Sequence, residues 1–155
     1  MLTIYIDADA CPVKEETYKV AARYQLKVLV IANQWMQIPL DSRIEMIVVE
    51  GGFDSADDWI VEKIGAHDIL ITSDLLLADR CLKKKARVLG SKGKELDEEN
   101  IGNVLGSREL MAHLRDLGTK GTGPAPMTKG DRSQFLSKLD QIIQSLRKIK
   151  SPSAV

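Results

Sequence analysis

Hydrophobic residues in this chain come in short unbroken runs. Leu2–Ile6 and Lys27–Ala32, the latter with Val28-Leu29-Val30-Ile31 at its centre, are the clearest. Continuous runs of this length suit strands buried on both faces, as in a parallel sheet. The same reading predicts strands over Ile44–Val49, Asp68–Thr72 and Arg87–Leu89. Between them the spacing changes to that of helices. Pro12 is placed as the first residue of a helix reaching Tyr24, since proline lacks an N–H that the first turn would leave unbonded. After the Gly51-Gly52 break, Asp54 or Ser55 caps a helix through Gly65, with Trp59, Ile60 and Ile64 along one face. Leu75–Lys85 is the next helix, with Ser73 or Asp74 near its cap.

The order β-α-β-β-α-β-α-β indicates an α/β layer fold with a mostly parallel sheet. Beyond it the pattern predicts a helix over Ser107–Leu117, then a loop rich in glycine, threonine and proline from Gly118 to Gly130. A final helix spans Asp131–Lys148, its start Asp131-Arg132-Ser133-Gln134 having capping-box form. Phe135, Leu139, Ile142, Ile143 and Leu146 make an apolar stripe on it that packs back onto the domain. Residues 1–150 thus read as a single domain and 151–155 as a disordered tail.

The length of 155 residues is enough to bury a core without disulfides or a structural metal. No run approaches the roughly 18 apolar residues that span a bilayer. Asp7 and Asp9 interrupt what would be the apolar part of a leader. A cytoplasmic protein with no membrane partner is expected. Cys11 and Cys81 form neither a disulfide framework nor a zinc-ligand spacing, which fits a reducing compartment. Because 22 basic residues balance 22 acidic ones, no overall positive field is available to hold nucleic acid. Two local basic stretches remain, Lys83-Lys84-Lys85 with Arg87, Lys92 and Lys94, and Arg147 with Lys148 and Lys150. Solvated faces are the simplest reading of both.

The aspartates change this picture. Asp7, Asp9 and Asp74 follow strands, so in a parallel sheet they share the C-terminal edge, where loops open and helix N-termini face. Asp57 and Asp58 lie near a helix start on the same side. Carboxylates gathered there repel one another unless a cation or a proton sits among them. Hard oxygen ligands suit Mg²⁺ or Mn²⁺, ions that serve phosphodiester cleavage. The candidate metal ligands are Asp7, Asp9, Asp57, Asp58 and Asp74, with Asp7, Asp57 and Asp74 as the catalytic set. Lys14, Lys129 and Arg132 meet phosphate oxygens if the Gly/Pro loop folds over the site.

Helix capping competes with that explanation. Asp54 and Asp74 suit N-caps, and Asp57 or Asp58 a helix's first turn, where acids gain about 0.3–1 kcal/mol from the dipole. It covers Asp7 less well, because Asp7 ends a strand several residues before Pro12. His67 and His113 are isolated and read as surface residues. Cys81 and Arg87 have the spacing of a tyrosine-phosphatase loop, but no glycine lies between them to turn backbone N–H groups toward a phosphate. Cys81 is therefore a buried helix residue. Cys11 stands beside the acids, whose charge raises its pKa and weakens it as a nucleophile.

Asp7-Ala8-Asp9-Ala10-Cys11-Pro12-Val13-Lys14 resembles the start of the YaiI/YqxD family of uncharacterised bacterial proteins. The resemblance continues through Gly52–Ile60, Asp68–Asp74, Asn100-Ile101-Gly102-Asn103 and Asp131-Arg132-Ser133-Gln134-Phe135, to about Leu146. More widely the chain is similar to PIN-like domains, which include Mg²⁺- or Mn²⁺-dependent ribonucleases. That similarity implies a three-layer α/β PIN-like fold, with a mostly parallel central sheet and helices on both faces. It also implies an acid closing the first strand, an acid on a middle helix and a Thr/Ser-x-Asp ending of the fourth strand. Asp7, Asp57 and Thr72-Ser73-Asp74 occupy those positions. The further acid of many such domains has no clear match, Asp79 and Asp97 being the nearest.

The function implied is a metal-dependent nuclease acting on RNA phosphodiesters. The missing acid and the neutral charge motivate one alternative, a non-catalytic module that binds nucleic acid or protein. Asp7-Ala8-Asp9 also resembles the Asp-x-Asp motif of haloacid-dehalogenase-type phosphohydrolases. There Asp7 is the nucleophile and Asp9 the acid/base.

Overall fold

In the computed structural model, which describes residues 2–51, 55–103, 106 and 127–149, the first strand sits in the middle of the sheet. β1 (Thr3–Asp7) pairs in parallel with β2 (Lys27–Ala32) on one side and β4 (Ile69–Ile71) on the other. β3 (Ile44–Val48) extends the sheet beyond β2, and β5 (Arg87–Leu89) beyond β4, both also in parallel. A short β6 (Glu95–Leu96) closes that side antiparallel to β5, giving six strands among the described residues, in the order β3-β2-β1-β4-β5-β6. The chain therefore builds outward from β1 to β3, then returns through a helix to start again on β1's other side.

Alternation along the strands explains the layers. Ile4 and Ile6 of β1, with Val28, Val30, Ile69 and Ile71, face one core. Helices α1 (Lys14–Arg23) and α4 (Lys129–Ile149) cover it with Val20, Ala21, Phe135, Leu139, Ile142, Ile143 and Leu146. Tyr5, Leu29, Ile31, Leu70 and Val88 face the opposite core. There α2 (Ser55–Lys63) contributes Ala56 and Ile60, and α3 (Leu75–Leu82) contributes Leu77, Ala78, Cys81 and Leu82. This is the three-layer α/β arrangement expected, consistent with a PIN-like fold. Among the described residues no helix is long and apolar enough to cross a membrane.

Several details differ from the expectations. α1 begins at Lys14, not Pro12, because a 3-10 turn over Ala8–Ala10 and a bend at Pro12 and Val13 intervene. α3 ends at Leu82, three residues short of Lys85, whose φ of 69° turns the chain toward β5. α4 begins at Lys129. Asp131 is not its cap but the third helical residue, reaching back to the Thr128 N–H at 3.1 Å while Thr128 Oγ1 accepts from the Asp131 N–H at 3.0 Å. The capping box is thus Thr128 and Asp131, and its hydrogen bonds hold the Asp131 carboxyl below its usual range. β6 is too short to leave a hydrophobic run. The Asp54 cap, the helix expected over 107–117, most of the Gly/Pro loop, His113, Lys150 and the tail lie outside the described residues.

The β5–β6 turn locks onto α4. Gly93 has φ of +87°, and a Cβ built on it would stand 2.7 Å from the Gln134 carbonyl carbon and 2.8 Å from the Phe135 nitrogen. Only glycine admits both the left-handed backbone and that approach. Gly93→Ala should destabilise the fold by about 2–3 kcal/mol, combining strain and overpacking. Urea unfolding checks this, and a midpoint equal to wild type would show that the turn and the helix separate at little cost.

Candidate active site

Ligands of open parallel sheets collect outside the strand C-terminal ends, where the strand order reverses. Here that reversal lies between β1 and β4. Asp7 closes β1 at this crevice, and the residues after β4 face it across the gap. The Thr72 hydroxyl, 2% exposed, donates to Asp7 Oδ2 at 2.7 Å. The same oxygen accepts from the Asp74 N–H at 3.0 Å. One buried hydroxyl thus ties the end of β1 to the start of α3.

Asp74 is the N-cap of α3, accepting from the N–H groups of Leu76 (2.9 Å) and Leu77 (3.2 Å). Both bonds fall on Oδ1. Capping and a place in the crevice are therefore compatible for this residue. Asp9, exposed in the 3-10 turn after β1, accepts from the Asn33 N–H at 3.4 Å. Asp57 lies in the first turn of α2, on the same face of the sheet. Its charge and that of Asp7 both act on the Cys81 thiol. Asp58 is exposed and turned to Arg80 of α3, at 3.0 Å.

The electrostatics single out Asp7. Partial burial raises its pKa above the usual carboxylate value, the Thr72 hydrogen bond opposes the rise, and the charges of Asp74 and Asp9 add to it. The Cys81 thiol, fully buried within α3, is pushed up to about 12, mainly by burial and further by Asp57 and Asp7. It is no nucleophile. Cys11 is also raised, again mainly by burial, with Asp7 and Glu16 contributing.

Lys14 and Arg132 line one cleft of about 500 Å³ beside Cys11, Pro12, Glu15 and Glu16. Both are already engaged. Lys14 Nζ donates to the Cys11 carbonyl at 2.9 Å, and Arg132 Nη1 to Glu16 at 2.9 Å and to the Pro12 carbonyl at 3.0 Å. Lys129, exposed at the start of α4, does not line this cleft. Residues 83–87 of the basic stretch after α3 have partners within the chain, although Lys83 and Lys85 stay mostly exposed, as a solvated face requires. Lys83 pairs with Asp79, Lys85 with Glu98 and Arg87 with Glu95, while Lys84 bonds carbonyls at the end of α2.

The strand ending Thr72-Ser73-Asp74 is expected from the family resemblance, but no role for the Thr72 hydroxyl follows from it. Beside Thr72, the Ser73 and Ser91 hydroxyls lie 3.3 Å apart where β4 and β5 end. Ser91 is buried. A hydroxyl following a strand was the signal available. Which strands stand side by side decides whether it matters.

The profile of a family described as "Uncharacterized BCR, YaiI/YqxD family" matches residues 5–145, a span that includes every acid of the crevice. The chain belongs to this family. YaiI/YqxD relatives are close along their whole length. A UPF0178 protein of Rhodospirillum centenum is 51% identical over 152 residues, covering 96% of this chain and 99% of its own. UPF0178 proteins of Paramagnetospirillum magneticum and of Caulobacter sp. strain K31 are 50% and 48% identical, each with the same coverage. No solved structure matches the chain.

The raised pKa of Asp7 has a thermodynamic consequence. The folded state holds this proton more tightly than the unfolded chain. Stability therefore falls as pH rises from the ordinary carboxylate value of 3.8 through the raised one, then levels off. Asp7→Asn should be more stable than wild type at pH 7, by about 0.5–2 kcal/mol. The advantage should vanish below the ordinary carboxylate range. Denaturant unfolding of both proteins across pH tests this, and equal stability at pH 7 would show that Asp7 carries no such cost.

Proposed function

We propose that this protein is a Mg²⁺- or Mn²⁺-dependent nuclease acting on RNA phosphodiesters at the β1/β4 crevice. The observation that carries the reading is the joining of Asp7 and Asp74 through Thr72 where the strand order reverses. Whether these residues suit a divalent ion depends on their donors. Among the described residues no three His, Cys, Asp or Glu side chains form a ready cage. Mg²⁺ does not ordinarily require one, since one or two carboxylates, water and substrate phosphate complete its shell. Asp7 and Asp74 offer two carboxylates, each with one oxygen outside the Thr72 and capping bonds. They would hold the ion, with Asp9 and Asp57 adding negative charge nearby.

A bound ion supplies Lewis-acid polarisation of the phosphodiester and activation of water. The chain's own residues do the rest. Thr72 fixes the Asp7 carboxylate by donating to Oδ2, which leaves Oδ1 outside that bond. The α3 N–H groups hold Asp74 in one rotamer. Asp7 must lose its proton to act, and its partial burial, with the charges of Asp74 and Asp9, delays that loss, so activity rises with pH through the raised Asp7 pKa.

A second reading rests on Asp58 and Asp74. One is paired with Arg80 and the other caps α3, which suits a module that binds RNA without cutting it. Incubation with Mn²⁺ and labelled single-stranded RNA separates the two. Wild type should cleave, and Asp7→Asn should lose roughly 100-fold or more of the rate. Mn²⁺ should also raise the melting temperature of wild type but not of Asp7→Asn. Equal cleavage by both proteins would sink the nuclease reading. Salt-sensitive binding with no cleavage would favour the module, and hydrolysis of phosphomonoesters alone would favour an Asp7 phosphohydrolase.

A further inference from the structure

Trp35, Leu40, Val48 and Leu76 are the large apolar side chains exposed among the described residues. All but Leu76 belong to one margin of the sheet. Among the described residues β3 is the outermost strand there, paired only with β2. The connection from β2 to β3, residues 33–43, contains no helix, so no helical element of that crossover shields the margin. Met36 and Ile38 turn inward against the core, whereas Trp35 and Leu40 do not.

The hydrogen-bond phase of β3 shows what this edge offers. The Arg43 carbonyl accepts from the Val28 N–H, and the Val49 N–H donates to the Ala32 carbonyl. Odd-numbered residues thus bond inward to β2. In a strand, alternate residues bond to opposite sides, so Ile44, Met46 and Val48 direct their backbone groups outward. The Ile44 N–H is spent on the Asp41 carbonyl, leaving its C=O.

The geometry points to a second copy of this chain as the occupant, the two β3 strands pairing antiparallel about a two-fold axis at Met46. Antiparallel partners directly opposite share a face of the sheet. Centring on Met46 therefore sets Met46 against Met46 of the copy and Ile44 against Val48, apolar against apolar. The ends are complementary too. Arg43 precedes β3 and Glu50 follows it, both exposed, so antiparallel pairing brings each cation to the end carrying the copy's acid. Leu40 lies at the N-terminal end of β3. Trp35 lies just past the C-terminal end of β2, which runs parallel to β3. The same pairing thus brings Leu40 of one copy toward Trp35 of the other, at both ends. Parallel pairing would do none of this. Glu45 is the one charge within the strand, and it stands diagonal to its own copy. It limits the association without preventing it.

Sedimentation velocity over a concentration series tests the pairing on the full chain. Wild type should dimerise reversibly. Met46→Arg places like charges directly opposite and should raise the dissociation constant at least about tenfold. Glu45→Gln should lower it. Position-specific crosslinking reads the register independently of any loss of folding. Directly opposed Cα atoms in a hydrogen-bonded pair lie about 5.5 Å apart, within disulfide reach. Diagonal pairs lie at about 7–8 Å, beyond it. On mild oxidation Met46→Cys should therefore form a covalent dimer and Ile47→Cys should not. The native Cys11 and Cys81 are buried and give little background. A wild-type monomer at the highest attainable concentration would overturn the proposal. So would a dimer indifferent to Met46→Arg, equal crosslinking at both positions, or a different polypeptide bound at β3 in place of the copy.

Discussion

The parallel pairing of β1 with β4, from Ile4 opposite Ile69 to Ile6 opposite Ile71, determines where the acids meet. It brings together two segments 65 residues apart in the chain and ends both strands at nearly the same height. Asp7 and Thr72 then have no choice but to face each other. The pairing is secured by apolar burial on both sides, since Ile4, Ile6, Ile69, Leu70 and Ile71 are wholly inaccessible. It is also tied at its lower end, where Asp68 accepts from the Thr3 N–H at 3.1 Å and from the Gly65 N–H at 2.9 Å. The acids at the upper end are thus positioned by hydrophobic contacts and a carboxylate clamp at the other end of the strands.

That arrangement sets stability against the crevice. Partial burial at the strand end, and then the nearby charges of Asp74 and Asp9, raise the free energy of charged Asp7. The Thr72 hydroxyl recovers part of the cost by donating to Asp7. The remainder is held in place by the surrounding sheet, a pattern common where a site is kept ready for a ligand.

The strands were legible in the sequence because two-sided burial leaves continuous apolar runs, and β2 and β5 fall at the residues expected. The α4 stripe was legible for the same reason, with Phe135, Leu139, Ile142, Ile143 and Leu146 all buried. Local exceptions were harder to see. Pro12 suits a helix start, but Ala8–Ala10 form a 3-10 turn first and delay it. Asp131 with Gln134 suits a capping box, but the helix starts two residues earlier, so Thr128 caps it and Asp131 takes the acid's place in the box. Asp74 looked like either a cap or a ligand, and the structure places it as a cap beside the crevice. The Thr72 bridge was beyond reach, since it depends on a contact across strands that no local pattern encodes. The basic stretch at residues 83–87 reads as a solvated face, and Lys83 and Lys85 are indeed mostly exposed; its individual partners, on α2, on and after β6 and within α3, are not encoded locally.

The position of α4 has a consequence for how the chain is made. This helix is the last of the described elements, yet Phe135, Leu139 and Ile143 complete the core over Ile4 and Ile6 near the beginning. During synthesis, α1 is the only other described helix that shelters this face, and the rest of it stays uncovered until residues 129–149 emerge from the ribosome. The nascent chain therefore carries an open apolar surface through most of its translation. Docking of α4, with Gly93 admitting its first turns, is the event that converts this surface into an interior.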